Sequence, residues 1–173
     1  MLIIDRNDKD LKTYFCSLMK SKKYKKSILQ IETILLEEND NYAALANVSA
    51  ILHMIFSFWW TGFYLVKNGN EENILVIAPF QGPDACSRIK FGEGVCETAW
   101  KTKKSIIINN VHEIENHISC SEFSNSEIVV PIISNGNVKG ILDIGSNLFS
   151  NFDETDKKYL EKVCNLISKK YWP

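Results

Sequence analysis

Apolar and polar positions follow two periods along this chain, helical toward both ends and strand-like through the middle. Asp10 to Met19 reads as a short helix and Lys25 to Glu38 as a second, its Ile28, Leu29, Ile31, Ile34, Leu35 and Leu36 falling partly at three-and-four spacing. Asn39-Asp40-Asn41 interrupts the pattern. Tyr42, Leu45, Ala46, Val48, Ser49, Leu52, Ile55 and Phe56 then form one face of a helix over Asn41 to Phe58, suited to packing on a sheet. From Trp60 the chain turns to short runs rich in β-branched and aromatic residues. Trp60 to Lys67 and Asn73 to Ala78 flank the turn signal Asn68-Gly69-Asn70, which predicts a hairpin. A short helix over Gly94 to Thr102 and a strand over Ser105 to Asn109 follow. The strands Glu127 to Ile133 and Val138 to Ile144 surround Asn135-Gly136 and predict a second hairpin. Asp153 caps a last helix with acidic residues at its start and lysines at its end, and Tyr159, Leu160, Val163, Leu166 and Ile167 form its buried stripe. The fold class is α+β, one antiparallel sheet between N-terminal and C-terminal helices. Residues 1–24 read as an N-terminal extension, helical in pattern, and 25–173 as the domain.

Composition narrows the setting. At 173 residues, with 45% hydrophobic and 24% charged, the chain suits one domain with its own core. Twenty basic residues face 21 acidic ones, for a net charge of −1, so no overall field favours nucleic acid or an anionic membrane, and neither is expected as a partner. The lysines of Lys20-Ser21-Lys22-Lys23-Tyr24-Lys25-Lys26 read as a solvated helix face. Charges cut the apolar N-terminus short of a signal peptide, and the run from Ala50 to Trp60 falls below the roughly 20 residues of a membrane span. A cytoplasmic protein is expected. Its five cysteines, an odd number, argue against a disulfide framework, so reduced thiols are the resting expectation.

Cys86, Cys96 and Cys120 occupy one block of the chain without the spacing of a metal finger or a redox CxxC motif. Cys86 and Cys120 lie in stretches rich in Gly, Pro, Ser and Asn, which read as loops that present reactive groups. One attacking cysteine with one or two resolving it is the chemistry this suggests. A zinc site of Cys86, Cys96, Cys120 and His117 is a weaker alternative, because the ligands are not closely paired. Cys16 and Cys164 are expected to pack as small hydrophobes. His53 reads as a satisfied core histidine, and His112 and His117 as residues that fix their loop. The loop from Asn110 to Asn125 is long enough to imply function.

Several motifs taken in order carry a resemblance: Trp60-Thr61-Gly62-Phe63-Tyr64-Leu65, Pro79-Phe80-Gln81-Gly82 with Ala85-Cys86, Phe91-Gly92-Glu93-Gly94-Val95-Cys96, His117-Ile118-Ser119-Cys120, Ser124 through Pro131, and Gly140-Ile141-Leu142-Asp143-Ile144. Together they resemble the free methionine-(R)-sulfoxide reductases, a catalytic branch of the GAF fold, over about Asn41 to Leu166. The resemblance implies that Cys120 attacks the sulfoxide and becomes a sulfenic acid, that Cys86 resolves it as a disulfide, and that thioredoxin reduces the disulfide. Cys96 resembles a helper or alternative resolver, and its place at a helix start can lower a thiol's pKa. Glu127 and Asp143 match positions that hold the substrate's ammonium and sulfoxide groups, and Trp60 and Tyr64 match aromatic walls around its methyl end. Free methionine sulfoxide is the implied substrate; no cofactor and no resident metal are implied. Where relatives usually carry Asp-Ile-Asp this chain has Asp143-Ile144-Gly145, and Ser121 and Trp59 stand where an Asp and an Asn are common. The alternative reading is a non-catalytic GAF small-molecule-binding module. The helices before Trp60 and after Asp153 could also form a homodimer face.

Overall fold

The computed structural model describes residues 6–68, 73–90, 94–114 and 123–173. In chain order the elements are α1 (Arg6–Glu37), α2 (Asn41–Phe56), β1 (Trp60–Asn68), β2 (Asn73–Gln81), β3 (Arg88–Lys90), α3 (Gly94–Thr102), β4 (Ile106–Ile108), a single 3-10 turn at Val111–Glu113, β5 (Ser126–Ser134), β6 (Asn137–Ser146) and α4 (Glu154–Tyr171). Among the described residues the strands form one antiparallel sheet in the order β3-β2-β1-β6-β5-β4. Both predicted hairpins are present, as are the helix at 94–102 and the last helix. In the second hairpin Asn135 and Gly136 both take positive φ, 49° and 74°, the paired left-handed turn that an Asn-Gly sequence favours. At α4 Asp153 accepts from the backbone of Thr155 and Asp156 while Asp156 reaches back to the Asp153 amide, a reciprocal cap.

The sheet divides the interior in two. Alternation along the strands sends Phe63, Leu65, Ile128, Val130, Leu142 and Ile144 to the face covered by α1, α2 and α4. Tyr64, Val129 and Ile141 point to the opposite face, where Val95, Cys96 and Ala99 of α3 pack on them. Helices of 16 and 18 residues shield the first face, so the second is where a pocket can open.

Four expectations need correction. The two N-terminal helices are one continuous α1 of 32 residues: in the polar run that seemed to break the period, Lys22, Lys23, Lys25 and Lys26 are exposed as expected, while Lys20 and Tyr24 turn onto the start of α4. Lys20 Nζ lies 2.9 Å from Asp153 Oδ2 and 2.5 Å from Asp156 Oδ2, and the Tyr24 hydroxyl donates to Asp156 Oδ1 at 2.8 Å. Cys16, on the same helix, is exposed; Cys164 is buried as expected. His53 leaves Nδ1 buried without a hydrogen-bond partner, so it is not a satisfied core histidine. Tyr42 belongs to the helical stripe in sequence but is 44% exposed. The three-residue β3 has no signal in the sequence, being too short to show a period. No described helix is long and apolar enough to cross a membrane.

Candidate active site

Three strands, β1, β5 and β6, supply the site residues selected from the sequence on the second face. On β1, Trp60, Gly62 and Tyr64 alternate with core residues; across the ladder Trp60 pairs with Gly145, Gly62 with Asp143 and Tyr64 with Ile141 of β6. On the other side of β6, Gly145 pairs with Glu127 and Asp143 with Val129 of β5. Side chains directly opposite share a face, so Trp60, Tyr64, Glu127 and Asp143 all project toward α3. Sequence reasoning selected these four, and the sheet brings them together. A register shift between Ile132 and Ile133 is what makes this possible: carried back from the turn without it, Glu127 would oppose Ile144 and lie on the face opposite to Asp143.

The aromatic side of the site is a stack. The rings of Trp60 and Tyr64 are 6.0 Å apart, those of Trp60 and Phe80 5.5 Å, and Trp60 Nε1 donates to the Pro83 carbonyl at 3.1 Å. Gly62 makes room for the indole: a Cβ there would stand 2.4 Å from Trp60 Cη2 and 2.4 Å from Phe80 Cβ. Phe80, Gly62 and Ser124 are site residues that the sequence alone does not single out. The available signal is a glycine two residues after a tryptophan on the same strand face, where a large ring must lie over its neighbour. Ser124 Oγ lies 3.0 Å from where a Cβ on Gly145 would be, so it fills the space beside that glycine.

Opposite the aromatics are the acids. The Glu127 and Asp143 carboxyls hydrogen-bond to each other, and Asp143 also hydrogen-bonds the Cys96 thiol. One donor atom from each of Cys96, Glu127 and Asp143 lies within 4.8 Å of the other two. Glu127 is buried, not solvated as its place at a strand start allowed. Burial lifts its pKa above the ordinary carboxylate value, although the hydrogen bond to Asp143 pulls it back. Two carboxyls can share a hydrogen bond only if one keeps a proton, so the pair is a proton store. Burial also pushes the Tyr64 phenol upward, with the Asp143 charge adding to it.

Cys96 corrects the sequence reading most clearly. It does sit in the first turn of α3, but burial and then the negative charge of Asp143 and Glu127 push its pKa well up, overwhelming any helix-terminal effect. It is a protonated thiol at rest. Cys86 is disulfide-bonded, whereas Cys16, Cys96 and Cys164 are free, so the expectation of reduced thiols fails at Cys86. Cys120 and His117 lie outside the described residues. The chain on either side of that segment is tied down: the Val111 amide donates to the Asn125 carbonyl at 3.0 Å, the Asn125 amide to the Ser146 carbonyl at 2.7 Å, and His112 Nε2 is 2.9 Å from Asn125 Oδ1. His112 therefore fixes its loop as expected.

Residues 45–169 match the GAF-domain family. Over 133 residues the chain is 40% identical to a free methionine-R-sulfoxide reductase of Escherichia coli, spanning 76% of this chain and 78% of that one. It superposes with a TM-score of 0.84 and 43% identity on a free methionine-R-sulfoxide reductase of Neisseria meningitidis solved with its substrate, covering 88% of this chain and 90% of the other. The chain belongs to the free methionine-R-sulfoxide reductases of the GAF-domain family. A GAF domain-containing protein of Dictyostelium discoideum is also 48% identical over 148 residues, 86% of this chain and 92% of that protein.

Proposed function

We propose that the protein reduces free L-methionine (R)-sulfoxide to L-methionine with Cys120 as nucleophile, Cys86 as resolving cysteine and thioredoxin as the final reductant. The Cys120 thiolate attacks the sulfoxide sulfur, and the oxygen takes up a proton as its bond to the substrate sulfur breaks. That oxygen, as water, then bonds to Cys120 Sγ as the sulfur–sulfur bond to the substrate breaks, so methionine is released and Cys120 becomes a sulfenic acid. The Cys86 thiol then displaces water to form a disulfide, and a reduced dithiol partner returns both cysteines to thiols by exchange. The sum is one sulfoxide and one dithiol consumed, one methionine, one water and one disulfide formed.

The observation that carries this reading is the Glu127–Asp143 hydrogen bond on the same sheet face as the Trp60 and Tyr64 rings. A buried acid pair that shares a proton, with the Glu127 pKa raised by burial, can deliver it to a departing oxygen. The same pair, once it gives up its proton, is a counter-charge for a desolvated ammonium, which a free amino acid has and a residue inside a protein lacks. Trp60 and Tyr64 offer apolar walls to the methyl thioether. The Cys86 disulfide supports the resolving role, since the three described cysteines apart from Cys86 are all free. Cys96, protonated and hydrogen-bonded to Asp143, suits a helper better than a nucleophile. The exposed Leu11, Tyr14, Phe15, Leu18 and Met19 of α1 support the homodimer as an association through the helical layer.

The test is turnover on the resolved R and S epimers of free methionine sulfoxide, with thioredoxin, its reductase and NADPH as recycling system. Methionine should appear from the R epimer alone, and a peptide containing methionine sulfoxide should not react. Equal turnover of both epimers, or none of either, rejects the reading.

A further inference from the structure

The cluster formed by Cys96, Glu127 and Asp143 has a second chemistry that sulfoxide reduction does not use. Its donors come from α3, β5 and β6, three separate elements that converge on one point. They combine one sulfur with two carboxylate oxygens, a set that accepts a borderline-soft divalent ion better than calcium or magnesium, which take oxygen alone. The atoms already lie within 4.8 Å of one another. A tetrahedral zinc-class ion, with metal–sulfur near 2.3 Å and metal–oxygen near 2.0 Å, would hold them roughly 3.3–3.6 Å apart, so the widest separation need shrink by no more than about 1.5 Å, which side-chain rotation can supply. Three protein ligands leave a fourth position of a tetrahedral ion for water or another exogenous ligand. Unlike a group of surface acids, this one is enclosed: Cys96 is 5% exposed and Glu127 8%. Two carboxyls held together, Glu127 buried and Asp143 partly buried, favour a positive partner whenever both are ionised, whether a proton, an ammonium or a metal ion. Nothing in the spacing of residues 96, 127 and 143 announces such a set, because it exists only once α3 is folded over the sheet.

We propose that the Cys96–Glu127–Asp143 pocket binds one zinc-class divalent cation, and that the bound ion excludes a free amino acid from the site. The ion displaces the thiol proton and the proton held between the carboxyls, and takes the place of the substrate's ammonium. The exclusion rests on the proposed role of Glu127 and Asp143 as ammonium partners; the metal affinity does not.

The oxidised protein is the form to use, because with Cys86 in its disulfide the thiol at the pocket is Cys96. Cys16, an exposed thiol, is removed by a Cys16→Ser background, and Cys164 is buried behind the sheet with its sulfur 3.8 Å from the Val130 carbonyl. Titration with Co²⁺ then reads a thiolate-to-cobalt charge-transfer band. One equivalent should saturate the band at micromolar concentration, Zn²⁺ should bleach it, Cys96→Ser should abolish it, and the isosteric Glu127→Gln and Asp143→Asn should each weaken it at least tenfold. Free methionine should compete with the ion. A band that survives Cys96→Ser, or an affinity untouched by both carboxylate variants, overturns the site, with thermal melts verifying that each variant is folded. Cobalt binding undisturbed by saturating methionine overturns the exclusion. Lack of turnover by the reduced enzyme in metal-free buffer would instead count against the reductase reading and leave the cobalt result standing.

Discussion

Glu127 and Asp143 are diagonal neighbours across the β5–β6 ladder, each directly opposite a residue other than its partner, and their carboxyls hydrogen-bond over that diagonal. This places an acid pair where a proton is needed, and its consequences can be measured. Glu127→Gln keeps the shape but removes the titrating group, and should lower kcat about 10²–10⁴-fold, the usual contribution of a positioned proton donor. In the parent enzyme kcat should fall as pH rises through the raised pKa of the pair; the variant should lose that limb while KM shifts separately.

The same shift has a stability signature. An acid whose folded pKa lies above its unfolded value binds its proton more tightly in the native state, so stability decreases as pH rises from the ordinary glutamate value, about 4.3, toward the raised one. Chemical denaturation across this range should show a decline that Glu127→Gln flattens. Asp153 works in the other direction: burial pushes its pKa up, but the hydrogen bond and charge of Lys20 outweigh it and leave it lowered, so its contribution is present above about pH 4 and lost on acidification.

How far this site could be read from the sequence follows from the physics of register. The alternation of Glu127 to Ile133 and Val138 to Ile144, with Asn-Gly between, is visible in the chain and predicts a hairpin. The face on which each acid lies is not visible from alternation counted back from the turn, because one extra residue on β6, Lys139 between Val138 and Gly140, inverts it, and only the glycine that follows hints at a bulge. The motif resemblance supplied what periodicity could not. Cys96 illustrates the opposite case: its position at a helix start is legible, but its burial under three strands is a tertiary fact, and burial determines its protonation. The division of α1 failed for a related reason, since the partner of Lys20 and Tyr24 is Asp156, more than 130 residues away.

Gly62 should tolerate no side chain. An alanine Cβ would meet Trp60 and Phe80 at 2.4 Å, well inside contact distance, so the indole must leave its stack or the strands must part. Gly62→Ala should cost about 1–3 kcal/mol in denaturant unfolding and raise KM for the sulfoxide. An unchanged KM would mean that the Trp60 ring does not wall the substrate.

Gly145→Asp adds a carboxylate beside the acid pair. The new Cβ would meet Ser124 Oγ at 3.0 Å and otherwise only ordinary contacts, so a rotation of the serine suffices, and Gly145→Asp with Ser124→Gly should be better still. A lower KM at constant kcat would assign the added group to ammonium binding, a higher kcat to proton delivery. If both constants stay the same or worsen, Gly145 is not what limits this enzyme.

Lys20 anchors α1 to the start of α4. Lys20→Met leaves the buried Asp156 with Tyr24 and the Asp153 amide but without its counter-ion, and should destabilise the fold by about 1–3 kcal/mol without changing KM. Urea unfolding alongside the standard assay separates the two effects.

The chemistry itself is tested most directly by a single turnover of Cys86→Ser with free methionine (R)-sulfoxide in the presence of a sulfenic-acid trap. Attack precedes resolution, so this variant should release about one equivalent of methionine and stop, with the adduct found by peptide mass analysis on Cys120. A stoichiometric adduct on Cys96, or continued turnover with no trapped cysteine, would contradict the assignment of Cys120 as nucleophile and Cys86 as its resolving partner.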